Sequence, residues 1–212
     1  MGLGRRDLLK TGMAGAGLMA LPGTALAAPK SISVAGSLRA PAGISPLLFE
    51  RAKAALDRHG ARIRNRDRIG IVDYTQRSDE RRFHIVDLAS GNAEHFLVSH
   101  GSGSDRNHNG FLDHFSNREG SNASSSGTYL TANRYHGKYG LSMKLHGLDD
   151  TNSNAFSRYI VMHPAWYAEA DMVAKHGKLG RSQGCFALGQ RDHWSAMNLL
   201  GDGRMIYADK LG

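Results

Sequence analysis

Cysteine is almost absent from this chain: its 212 residues hold a single one, Cys185. That excludes an intramolecular disulfide framework, and no histidine pair stands near Cys185 at zinc-binding spacing. Long apolar runs are missing after the first 27 residues, so no later segment has the length to cross a bilayer. No helix or strand concentrates Lys and Arg with interleaved aromatics, which argues against nucleic acid as a partner despite a formal charge of +8. There is no internal repeat, and no linker beyond residue 30.

What is present begins with an export signal. Arg5-Arg6-Asp7-Leu8-Leu9-Lys10 forms a charged head, Thr11 to Leu21 is apolar and rich in Gly and Ala, and Ala25-Leu26-Ala27 is a small-x-small cleavage site. The paired arginines resemble a twin-arginine signal, which addresses a bacterial route for proteins folded before translocation; an ordinary secretory signal carrying two arginines is the alternative. Either reading places the mature protein outside the cytoplasm, in the periplasm for an envelope with two membranes. About 185 of the 212 residues then remain, a length that suits one domain rather than two. The signal carries +2 (Arg5, Arg6 and Lys10 against Asp7), leaving +6 for the mature chain. A charge of that sign fits an anionic surface such as a cell wall or membrane, or simply a basic soluble protein.

The expected division is a signal over 1–27, a lead and helix over 28–66, and a main domain over 67–212. Leu47, Leu48, Phe49, Ala52, Ala55 and Leu56 have helical spacing between Ser45 and His59, and Gly60 stops the run. Short strands follow: Arg68 to Thr75, a hairpin of Arg82 to Leu88 with Glu94 to Val98, then Gly127 to Ala132, Leu141 to His146 and Ser157 to Met162. Pro164 to Lys175 and Arg191 to Leu200 read as helices, and Arg204 to Ala208 as a closing strand. Many closely spaced strands with few helices predict a mostly β domain, a sandwich or barrel-like sheet.

The polar stretch from Gly101 to Ser126 interrupts this texture, and loops so long are usually functional or mobile. Within it, Asp105 to Asp113 places oxygen-bearing residues and a glycine like the first half of a calcium loop. Ser116 stands where the bidentate Glu belongs, and the same residue types arise in ordinary turns.

The lone thiol lies in Gly180-Arg181-Ser182-Gln183-Gly184-Cys185-Phe186-Ala187-Leu188. It reads either as a nucleophile or as a buried small hydrophobe. A nucleophilic thiol needs a base, usually histidine. Of eleven histidines, His163 ends an apolar strand and is followed by Pro164, so it sits on a rigid element facing a cleft. His146 has a similar setting before Gly147, whereas His176 lies in a solvated Lys-His-Gly stretch. Gly184 allows close backbone approach, and its amide with that of Cys185 would serve an oxyanion. Ser182 is either the group that orients the histidine's second nitrogen or a turn serine.

His163 followed by Cys185 in Ser-x-Gly-Cys resembles the catalytic core of the L,D-transpeptidase (YkuD-type) family. The branch known as murein L,D-transpeptidase catalytic-domain proteins is the most similar, through Ser99-His100-Gly101, Phe115-Ser116-Asn117, Gly120-Ser121, Ser125-Ser126-Gly127-Thr128-Tyr129 and Leu145-His146-Gly147. The likeness covers roughly Ile69 to the C-terminus and is most specific at the cysteine motif. Two departures stand out: Gln183 replaces the histidine usual in that motif, and Phe186-Ala187-Leu188 lacks the Arg or Asn that many members carry two residues on.

The resemblance implies an exported enzyme that acts on peptidoglycan stem peptides without a cofactor or bound metal. Cys185 would attack the donor stem with His163 as base, form a thioester, and pass the acyl group to an amine. It further implies help from His146 in donor binding, and Arg181 and Arg158 as partners for substrate carboxylates. An exported cysteine carboxypeptidase or amidase would use the same dyad with water as acceptor. A non-catalytic wall-binding protein of the same fold is the reading from a different class.

Overall fold

The computed structural model describes residues 38–212. The expected signal, and the lead up to residue 37, lie outside the described residues. Among those described, no helix is long and apolar enough to cross a membrane.

The first element, α1 (Pro46–Arg58), opens with Pro at its first turn, where a missing N–H costs nothing. Leu48, Phe49, Ala52, Ala55 and Leu56 recur at helical spacing and are buried, while Leu47 on the opposite face is exposed. That apolar face packs with Ile69, Ile71, Val86, Met205 and Tyr207, so the helix belongs to the sheet it precedes.

The strands are β1 (Arg68–Asp73), β2 (Phe83–Asp87), β3 (Ala93–Phe96), β4 (Gly127–Gly137), β5 (Gly140–Gly147), β6 (Val161–Pro164), β7 (Phe186–Leu188) and β8 (Met205–Asp209). They form one mixed sheet in the order β3-β2-β1-β8-β4-β5-β6-β7. The domain is mostly β, as the sequence predicts, but the sheet is not a closed barrel. Alternation along each strand sends side chains to two cores. Ile69 and Ile71 join the α1 side, and Val72, Phe83, Ile206 and Ala208 join the other, together with Ala196 and Met197 of α3 (Gln190–Leu200).

Differences from the sequence expectations gather around the end of the sheet that carries the thiol. The strand expected over 157–162 begins only at Val161. The preceding residues turn instead, with Arg158 N–H donating to Asn154 O, Tyr159 N–H to Phe156 O and Ile160 N–H to Ala155 O. The helix expected from Pro164 is a short 3-10 turn (Trp166–Ala168) followed by α2 (Ala170–His176), because Pro164 and Ala165 are still extended and Ala165 N–H pairs with Leu188 O. Strand β7 is only three residues long and carried no alternating signal.

The 101–126 segment is held by scattered backbone bonds, such as Gly103 N–H to Asn122 O and Ser116 N–H to Ser124 O, and by side chains. Gly101 N–H donates to Ser124 Oγ at 3.0 Å and Ser124 N–H to Ser104 Oγ at 3.0 Å. Asp105, the first residue of the stretch that resembles half a calcium loop, is fully buried. Its carboxylate accepts from Asn109 N–H, Gly110 N–H and His100, so its oxygens close a turn instead of facing a cation.

Candidate active site

β6 and β7 run parallel, with Met162 opposite Phe186 and His163 opposite Ala187. One residue earlier, Val161 stands opposite Cys185. His163 lies two residues beyond Val161 and therefore on the same face of the sheet. One strand spacing and two residues separate the thiol's backbone from that of the histidine, about 8 Å between α-carbons. Met162 and Phe186 point the other way into the core, and their burial fixes the strands' register.

Cys185 and His163 line one cleft of about 690 Å³, together with Tyr135, Lys138, Tyr139, Arg158, Tyr159 and Tyr167. His163 is buried, and its Nδ1 lies 3.0 Å from the Pro164 carbonyl oxygen. A carbonyl can only accept, so Nδ1 carries the proton and Nε2 keeps its lone pair. Tyr139, at the two-residue tip between β4 and β5, stacks on the imidazole with centroids 4.4 Å apart. Lys138 lies 4.8 Å from the Tyr139 ring centroid. Burial holds His163 below its ordinary value and Lys138 adds to this, while the Pro164 carbonyl acts in the opposite sense.

Cys185 is half-buried, and its thiol hydrogen-bonds the Tyr159 carbonyl at 3.5 Å. Burial pushes the thiol above its ordinary 9.0, against the smaller pull of the Val161 N–H and of the Arg158 and Lys138 cations. At neutral pH the resting pair is therefore a thiol and a neutral imidazole. Tyr159 aims its carbonyl at the sulfur by adopting φ +54°, a conformation costly for a residue with a side chain.

The loop before the thiol is shaped by Ser182. Its hydroxyl donates to Cys185 O at 2.8 Å and accepts the Gly184 N–H at 3.1 Å. Ser182 therefore braces the loop that carries the thiol, while His163 is oriented by a backbone carbonyl. The Gly184 amide is engaged by that serine and not aimed at an oxyanion, which leaves the Cys185 N–H as the loop amide next to the sulfur. Gly184 itself has φ +109°, as the expectation of unusual dihedrals required.

The expected substrate-binding residues divide. Arg181 lines the cleft, with its guanidinium donating to the carbonyls of Asp105 and Arg106. Arg158 also lines it and ties down the opposite wall, donating to Ser116 O at 2.8 Å, Ser125 Oγ at 2.6 Å and Ala123 O at 2.6 Å. His146 is not brought to the cleft. It stacks on Phe156 at 4.7 Å with rings nearly parallel, and neither ring lines the cleft. Its position at the end of β5 is as expected, but β6 begins later than the sequence suggests and the 150–159 turn intervenes. Gln183 is exposed at the rim. The aromatic lining, Tyr135, Tyr139 and Tyr167, leaves no signal in the sequence, because tyrosines spread over separate elements form no local motif.

A mostly β domain thus brings a thiol and an oriented imidazole to one face of two neighbouring segments of its sheet. The sequence family described as L,D-transpeptidase catalytic domain matches residues 41–208, and the chain belongs to that family. Among solved structures it is similar to an L,D-transpeptidase from Mycobacterium tuberculosis H37Rv, at 13% identity and TM-score 0.43 over 68% of this chain and 57% of that one. An L,D-transpeptidase from Mycobacterium smegmatis gives 12% identity and 0.41 over 68% and 58%. A third, solved in complex with imipenem, gives 12% and 0.41 over 68% and 59%. The matches thus span under two thirds of those proteins' lengths. No curated protein matches the sequence.

Proposed function

We propose that this protein is an exported peptidoglycan L,D-transpeptidase in which Cys185 is the nucleophile and His163 its base. The observation that carries the reading is the pairing of β6 with β7, which puts a tautomer-fixed imidazole and the chain's single thiol on one face of one cleft.

The chemistry follows from that arrangement. The resting thiol is neutral, so the S–H proton passes to His163 Nε2 as sulfur attacks the donor carbonyl, here the L-centre of diaminopimelate in a tetrapeptide stem. The tetrahedral oxyanion is met by the Cys185 N–H. Collapse breaks the amide bond, the proton on His163 goes to the departing D-Ala amine, and a thioester remains on Cys185. The side-chain amine of a second stem then attacks, loses its proton to His163, and releases the thiol as a new amide forms between two position-3 residues. Arg181, at the cleft wall, is the candidate partner for a stem carboxylate. No step calls for a cofactor or metal ion.

The stem peptides and the periplasmic location belong to this same proposal. The twin-arginine head and cleavage site of the first 27 residues support export, and the net positive charge suits an anionic wall. Incubation of the purified chain with tetrapeptide muropeptides tests the reading. Dimers cross-linked through position 3 are the expected product; shortened monomers alone would assign hydrolysis, and no product at all would leave a wall-binding role.

A further inference from the structure

Behind the nucleophile loop lies a polar chain that the reaction as written does not use. Arg82, His100 and Asp105 are each 0–1% exposed. Arg82 donates from Nε and Nη2 to Val98 O at 3.2 and 2.9 Å, and from Nη1 to Gln76 O at 2.9 Å. Its Nη2 also meets His100 Nδ1 at 2.8 Å. A guanidinium can only donate, so His100 Nδ1 accepts and Nε2 bears the proton. That N–H faces Asp105 Oδ2 at 3.1 Å. Arg82 thereby fixes the ring's tautomer and Asp105 completes it, with both ends of the chain charged and neither exposed to water.

The same residues hold the loop that carries the thiol. His100 O accepts the Ser182 N–H at 2.9 Å, and the Ser102 N–H donates to Ser182 O at 2.8 Å. Arg181 donates to Asp105 O. Ser182 thus has both its backbone groups clamped by the 100–102 segment, while its hydroxyl holds Gly184 N–H and Cys185 O. A continuous run of hydrogen bonds leads from Arg82 to the residue that attacks. Buried polar networks of this kind add little net stability over apolar packing, but when fully satisfied they select one backbone arrangement.

We infer that the Arg82–His100–Asp105 chain is the positioning device of the nucleophile loop, setting where the Cys185 sulfur and N–H stand relative to an incoming carbonyl. Its three members are positioning residues, since none lines the cleft. The inference rests on the proposed acyl-transfer chemistry at Cys185. It predicts that loss of the chain harms the geometry-dependent step, attack on a carbonyl with oxyanion formation, while bare reactivity of the thiol persists.

The test uses the purified full-length chain and two reactions of the same sulfur. His100→Leu should lower the limiting rate constant of acylation by imipenem about 10- to 100-fold, at an unchanged half-saturating concentration. Alkylation by iodoacetamide, which needs no oxyanion site, should change by less than about threefold. His100→Gln offers one acceptor and one donor and should recover most of the loss. Asp105→Asn is the second variant, read in the same way if the leucine variant does not fold. Wild-type acylation rates in a folded His100→Leu or Asp105→Asn protein would overturn the inference. So would equal losses of acylation and alkylation in both variants, which would mark a general loosening of the fold. Failure of imipenem to acylate the wild type would instead count against the proposed function itself.

Discussion

Gly184→Ala offers the sharpest physical test of the loop that carries Cys185. A β-carbon at this position would lie 2.6 Å from Ala123 O, 2.9 Å from Ile160 Cδ1 and 3.2 Å from Arg158 Nη2. The nearest of these is a backbone carbonyl already held at 2.6 Å by Arg158, so it cannot swing aside as a side chain would. The φ of +109° adds strain for any residue with a side chain, about 1–2 kcal/mol. Overpacking of the site adds about 1–3 kcal/mol. Against these stands the smaller entropy of the unfolded alanine chain, worth about 0.4–1 kcal/mol. The net expectation is destabilisation by about 2–4 kcal/mol, which at a typical urea dependence of about 2 kcal/mol per molar moves the unfolding midpoint down by about 1–2 M. Relief of the clash must displace the residue beside the sulfur by several tenths of an ångström, so acylation by imipenem should slow about 10- to 100-fold. A urea midpoint shifted by less than about 0.2 M, with an acylation rate within about twofold, would refute the reasoning about this glycine.

The remaining expectations concern protons and backbone strain. Because burial holds the thiol above 9.0 and the imidazole below 6.5, alkylation of Cys185 by iodoacetamide should accelerate with a midpoint above pH 9; a plateau already reached between about pH 5 and 7 would reveal a preformed thiolate–imidazolium pair instead. His84, His100 and His193 are each 1% exposed, and burial pulls each down from 6.5 to about 4. Folding therefore favours their neutral forms, a contribution fully present above pH 6.5 and lost as the pH falls towards 4. Each is worth up to about 3 kcal/mol there, so the urea midpoint should drop steeply between pH 6.5 and 4.5, and a midpoint constant over that range would contradict the assignment. Tyr159→Gly, which suits φ +54°, should leave thermal stability nearly unchanged. Tyr159→Val should cost about 1–2 kcal/mol more than the glycine variant, and equal melting temperatures for the two would remove the case for strain.

The parts of the molecule legible in the sequence are those with a local signal. Helix α1 declares itself through Leu48, Phe49, Ala52, Ala55 and Leu56, and the β2–β3 hairpin through its turn. Cys185 and His163 stood out by isolation and by placement at the end of an apolar run. The third element of the site did not, because the partner of His163 is the Pro164 carbonyl, and any residue supplies a carbonyl. Ser182 was the visible side-chain candidate, yet it serves its own loop. Strand β7 is silent because three residues give no period to read, and the place of His146 before Gly147 at a strand end, like the family resemblance, does not reveal that its ring stacks on Phe156 away from the cleft. Arg82 looked like the first residue of a strand; its guanidinium acquires meaning only where the 98–105 segment folds against it.

The central claim is that Cys185 is an acylatable nucleophile activated by His163. Intact-protein mass spectrometry after exposure to imipenem tests it most directly. Wild-type protein should gain the full mass of one drug molecule, since opening of the β-lactam ring loses no atoms, and peptide mapping should place it on Cys185. Cys185→Ser should gain none, and His163→Ala should acylate far more slowly. Equal labelling of wild type and Cys185→Ser, or none on the folded wild type, would contradict the account.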